Sequence, residues 1–148
     1  MAGERENIVA GLVTKLGTIT TGNGYQQNVG SVLDYPTTFT DVDYSDFPVV
    51  SILIGAESIV ENLGSTVNKT LGIGLRCYID GSTEDEIREA ANKVVEDIHK
   101  LIYNNPTLGV TGVIKCQVET IDAPFLWLDI GNVGIVDVML SCEYRQTL

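Results

Sequence analysis

The sequence predicts an α+β sandwich: a largely antiparallel or mixed sheet of about five strands with two helices packed on one face. Three observations carry that prediction. Two separated stretches repeat their apolar residues at helical spacing, and two others alternate apolar and polar residues as a half-buried strand does. The inferred order is helix, three strands, helix, two strands, which is neither a sequence repeat nor a regular alternation of strand and helix. At 148 residues the chain reads as a single domain over 1–148, long enough to bury about 68–70% of its unfolded surface.

Residues 4–19, ERENIVAGLVTKLGTI, place Ile8, Leu12, Leu16 and Ile19 on one side with Val9 beside them, which predicts an amphipathic helix. Gly22-Asn23-Gly24 ends it in a turn. A short strand is expected at about 28–34, then an extended loop or hairpin at about 35–47. Pro48 and Gly55 bound the β-branched run VVSILIG, a strand at 49–55. In TVNKTLGIGLRCYID (66–80), Ile73, Leu75, Cys77 and Ile79 fall on one face, and Gly72, Gly74, Arg76, Tyr78 and Asp80 on the other.

The clearest element is the helix at 84–104. Thr83 can cap it with Glu86 three residues on, and Glu84 and Asp85 suit the positive end of its dipole. Ile87, Ala91, Val94, Ile98, Leu101 and Ile102 form one apolar stripe. Glu84–Arg88, Glu89–Lys93 and Glu96–Lys100 are spaced as i,i+4 pairs. Asn104-Asn105-Pro106 stops the helix. Strands are expected at 110–122 and about 136–144, joined by the acidic, aromatic connector 123–131.

Nine basic and 20 acidic residues give a net charge of −11. Such a surface repels phosphate and argues against gripping DNA, though not against DNA sliding past. The acids are unevenly placed: 34–46 and 119–137 each hold four and no base. No apolar run approaches the ~20 residues of a membrane span. The N-terminus lacks a basic region ahead of its apolar residues, unlike a secretory signal. A soluble protein made in the cytoplasm is therefore expected, and the Asn68-Lys69-Thr70 sequon carries no meaning there.

Asp41, Asp43 and Asp46 in TFTDVDYSDFP invite a cation reading. With Asp41 at position 1 of a calcium loop, the pivotal Gly position holds Asp46 and the closing Glu position holds Ile52. No metal site is assigned. Cys77, Cys116 and Cys142 match no zinc or redox spacing and read as buried, reduced thiols. The single histidine, His99, sits off the apolar stripe with acids but no nucleophile in its turn. Gly72-Ile73-Gly74 begins like a dinucleotide fingerprint, but it lies mid-strand and meets Cys77 at the last glycine position. Glycines there let a neighbouring backbone or ring come close. No catalytic residue and no cofactor is assigned, and the chain is expected not to be an enzyme.

Taken in order, TGNGYQQNVGSV, DFPVVSILIGAE, LRCYIDG, VVEDIHKLIYNNPTLG and a last strand ending Cys142-Glu143-Tyr144-Arg145 resemble the tail terminator (tail completion) proteins of tailed bacteriophages. The lambda minor tail protein U belongs to that group. The resemblance covers nearly the whole chain, and its specificity lies in the order and spacing of motifs that are each loose. It implies a structural virion protein at the head-proximal end of the tail, assembled in the bacterial host. Such a subunit forms a ring, typically hexameric, that caps the tail tube, stops its polymerisation and offers the joining surface to the head. The implied partners are other copies of itself, the tail tube protein and the head–tail connector or neck protein, with the tail sheath protein a further candidate. Genome DNA would pass through the lumen without specific binding.

On that reading Asp34, Asp41, Asp43, Tyr44, Asp46 and Phe47 form one candidate interface. The aromatics would contact a neighbour while the acids face the lumen or a basic partner; a solvated loop is the plainer account. Phe125, Trp127 and Asp129 form the second, against the simpler reading that Trp127 closes the core. Two other functions compete: a head-completion, neck or tube protein, and a non-viral small-molecule-binding α+β domain. The last predicts a concave site with converging polar groups and no ring.

Overall fold

The computed structural model describes residues 3–36, 47–122, 125–127 and 133–148. Helix α1 (Glu4–Leu16) precedes a 3-10 turn, then strands β1 (Ser31–Leu33), β2 (Val49–Leu63) and β3 (Thr66–Asp80). Helix α2 (Glu84–Asn104) and strands β4 (Val113–Ile121), β5 (Phe125–Trp127) and β6 (Val133–Thr147) complete the chain. The sheet runs β1-β2-β3-β6-β4, with β5 also on β6. Among the described strands only β1–β2 is parallel. The predicted α+β class and mixed, mainly antiparallel sheet are what the chain adopts.

Both helices cover the same face. Ile8, Leu12 and Leu16 of α1 and Ile87, Ala91, Val94 and Ile98 of α2 share one core with Ile73, Leu75, Cys77 and Ile79 of β3 and Val136, Val138 and Leu140 of β6. The alternation in β3 thus sorts its side chains as predicted. Gly134 lies where a Cβ would stand 2.4 Å from Ile87 Cγ2, so its missing side chain is what lets α2 sit down on β6. On the opposite face a smaller cluster of Val49, Tyr78, Val133 and Ile135 takes Leu33 and Phe47 against it.

Several boundaries differ from the sequence reading, each for a physical reason. Helix α1 stops at Leu16 rather than 19, where the ladder gives way to i,i+3 bonds from Thr18 N–H to Lys15 O and Ile19 N–H to Leu16 O; Ile19 still reaches the core from the turn. The strand expected at 49–55 continues to Leu63, through bulges between Ile54 and Glu57 and between Ile59 and Glu61. Those bulges break the period of two, so the stretch shows no alternation by which to recognise it. At α2 Thr83 caps the Glu86 N–H, but the Glu86 carboxylate accepts from Ser82 N–H at 2.7 Å, one residue before the expected partner. Arg88 pairs with Asp85 rather than Glu84. Glu96 and Lys100 do not pair with each other; both reach to the 24–26 segment.

Candidate assembly surfaces

The TGNGYQQN and VVEDIHK stretches, about seventy residues apart, meet in space. Asp97, on α2, is only 2% exposed. Its carboxylate accepts the backbone N–H groups of Gln26 (3.0 and 3.1 Å) and Gln27 (2.9 Å). Lys100 donates to Gly24 O at 2.9 Å and lies 5.2 Å from the Tyr25 ring centre. Gln26 Nε2 donates to Glu96 Oε2 at 2.8 Å. A buried carboxylate costs free energy unless its lone pairs are used, and here the loop's own backbone uses them. The sequence reading passed over Asp97. Nothing in the sequence marked it, since Lys93 at i−4 and Lys100 at i+3 offer ordinary helical partners.

A polar network closes the far end of the sheet. The Tyr144 hydroxyl donates to Glu57 across β3, Lys69 lies 3.9 Å from Glu57, and Arg145 donates to Asn68 at 2.9 Å. Burial, then the hydrogen bond to Glu57, raises the Tyr144 phenol above its usual range. Burial also raises Tyr78, against the opposing pull of Arg76, and raises Tyr25 beside Asp97. In the unfolded chain these phenols lose their protons near pH ~10. The folded state still holds them above that, so unfolding is favoured progressively as pH rises past about 10. The expected result is a Tm that falls between about pH 9.5 and 11, with a shallower fall in Tyr144→Phe. An equal slope in that variant would remove Tyr144 from the account.

On the sheet face away from the helices, Arg76 of β3 is bidentate to Asp137 of β6 at 2.9 and 3.0 Å, the register placing the two directly opposite. Beside them a groove of about 260 Å³ is bounded by Leu53, Gly74 and Met139. Gly72 and Gly55 lie where the two strands crowd: a Cβ on Gly72 would stand 3.3 Å from Ala56 O, and one on Gly55 3.1 Å from Gly72 O. Close backbone approach is therefore what these glycines permit, as expected.

Two features at opposite edges of the sheet stand out. The first is β2 beyond its short pairing with β1, which ends at Ser51. From Leu53 to Leu63 nearly every residue is exposed, among them Ile59 at 64%, Val60 at 58% and Leu63 at 43%. The second is a groove of about 490 Å³ between the end of α2 and β4, with Ile102, Tyr103 and Val118 as apolar walls and His99 and Lys115 beside them. His99 is exposed, as its position off the apolar stripe predicted.

Of the residues singled out in the sequence, Asp34 is exposed just after β1. Phe47 is half-buried against the second cluster, at a cis peptide bond with Pro48. Tyr35 O accepts from the buried Ser51 hydroxyl at 2.7 Å. Phe125 and Trp127 lie on β5, opposite Ile135 and Val133 of β6. Asp41, Asp43, Tyr44, Asp46 and Asp129 lie outside the described residues. All three cysteines are buried and free, with Cys116 directly opposite Cys142 in the β4–β6 register. The described residues contain no cluster of three potential metal ligands and no helix long and apolar enough to cross a membrane.

No protein-family model matches the sequence, and no curated protein matches it. The fold, by contrast, has a counterpart in a solved structure, the virion of a native gene transfer agent particle. A chain of that particle superposes with a TM-score of 0.58 at 9% identity, over 99% of this chain and 100% of the other. The likeness establishes a shared fold along the whole length.

Proposed function

We propose that the protein is a structural subunit of a phage-like virion: a tail terminator that assembles as a ring, hexameric by the resemblance, on the head-proximal end of the tail tube. The observation that supports this best is the sharing of its fold, over 99% of this chain and 100% of the other, with a chain from a virion particle. The two unlike surfaces at opposite sheet edges support a ring as well, since head-to-tail closure consumes two different patches on each subunit. The reading gives the chain no catalytic role. Its partners are copies of itself, the tube protein and the connector or neck protein, while its acidity keeps the passing DNA from sticking.

Asp34, Asp41, Asp43, Tyr44, Asp46 and Phe47, with Phe125, Trp127 and Asp129, remain the proposed contacts to lumen or partner. The test adds purified protein to its own polymerising tube subunits and reads tube length by negative-stain microscopy. Short tubes with an added ring of density at one end are expected. Unchanged lengths and bare ends would move the assignment to a neck or head-completion protein. Charge reversal of Asp41, Asp43 and Asp46 together, run alongside, should weaken capping; equal capping would remove that segment from the interface.

A further inference from the structure

We infer that the exposed stretch of β2, Ile59 to Leu63, docks into the α2–β4 groove of a second copy of this chain, and that this contact joins ring neighbours. The inference rests on the ring reading but names its interface. Sheet order makes the contact intermolecular. β2 and β4 are separated by β3 and β6, so the stretch cannot fill the groove of its own subunit.

The chemistry of the two surfaces matches. Ile59, Val60 and Leu63 are among the most exposed large apolar residues described, and apolar groups so placed mark a contact surface when they cluster. The groove offers the exposed Tyr103 and the half-buried Val118 to receive them. Charge matches too. In a chain of net charge −11, the groove has Lys115 and His99 and no carboxylate among its described lining residues. The docking stretch brings Glu61, which is exposed and has no ion-pair partner among the described residues. Lys115 likewise has none.

Side-chain insertion suits this site better than addition of a strand to a sheet edge. The bulges at Ile54/Glu57 and Ile59/Glu61 twist β2 out of the regular ladder that strand addition needs. On the receiving side the Cys116 N–H, at the edge of β4, is already taken by Pro106 O at 2.6 Å. A heterologous contact of this kind either closes into a ring or runs on as a filament.

The test follows self-association of the purified full chain by sedimentation over a wide concentration range, and on capped tubes where tubes are present. Ile59→Asp with Val60→Asp should weaken association at least tenfold while leaving Tm near that of the parent. Glu61→Lys and Lys115→Glu should each weaken it, and the two combined should restore it. Oxidation of a Glu61→Cys/Gln117→Cys variant should give a ladder of covalent multimers, where each single variant stops at dimers. Association or tube capping that survives Ile59→Asp/Val60→Asp, with no ladder, overturns this interface and leaves the terminator reading intact. A ladder with unaltered tube lengths does the reverse. No ladder in solution or on tubes also overturns the interface.

Discussion

Asp97→Ala is expected to lower stability by about 3 kcal/mol, the larger part of it lost at a loop that the substitution does not touch in sequence. Asp97 holds three N–H···O contacts from Gln26 and Gln27 while nearly fully buried. Hydrogen bonds to a charged acceptor are worth about 1.5–3 kcal/mol each, and those sharing one carboxylate are not additive. Removal also strands two backbone donors in a part-buried site. For a chain of this length the loss corresponds to a Tm lower by about 6–12 °C. Amide exchange should rise first at residues 21–28, before the sheet. Asp97→Asn keeps one acceptor oxygen and should cost about half as much. A Tm unchanged within about 2 °C in Asp97→Ala would mean that Lys100 and Glu96 hold the loop without it.

The second large effect is expected at the centre of the sheet. Leu140, fully buried on β6, faces Ile73 of β3 and Val118 of β4 by register. Leu140→Ala removes buried methyl groups and leaves a cavity between two strands held by their own ladders and by the helices above. The site can collapse little, which places the cost at about 2–5 kcal/mol. Denaturant midpoint at constant slope is the measurement. The comparison that gives it meaning is Ile59→Ala on the exposed part of β2, where about 0.5 kcal/mol or less is expected. The pair separates folding from assembly: Leu140→Ala should reduce capping only as far as it reduces folded protein. Ile59→Ala should reduce capping in a fully folded one. Equal loss of stability in both would show that β2 beyond Leu53 is as much part of the core as β6.

How much of this was legible beforehand depends on how local each cause is. The capping at Thr83, the stripe of α2 and the alternation of β3 and β6 are written in residues two to four apart, and each came out where the spacing placed it. The length of β2 was not legible, because two bulges shift its period and Gly55 looks like an end. Asp97 was missed for a different reason. Its partners are backbone groups about seventy residues away, and backbone groups have no signature in a sequence. The expected Glu96–Lys100 pair failed on the same account: both side chains found partners in the Gly24–Gln26 loop that the fold brought to them.

By itself the sequence determined the helices, the buried faces of β3 and β6, the burial of the three cysteines and the α+β class. These follow from the periodic burial of neighbouring residues, which each segment carries within itself. Only the tertiary structure decided which strands lie at the edges, and hence that an exposed apolar strand and a groove lined by Lys115 and His99 lie on opposite sides of one subunit's sheet. Strand order is a property of pairings between distant segments, so the surfaces through which this protein would meet its own copies exist only once the sheet is assembled.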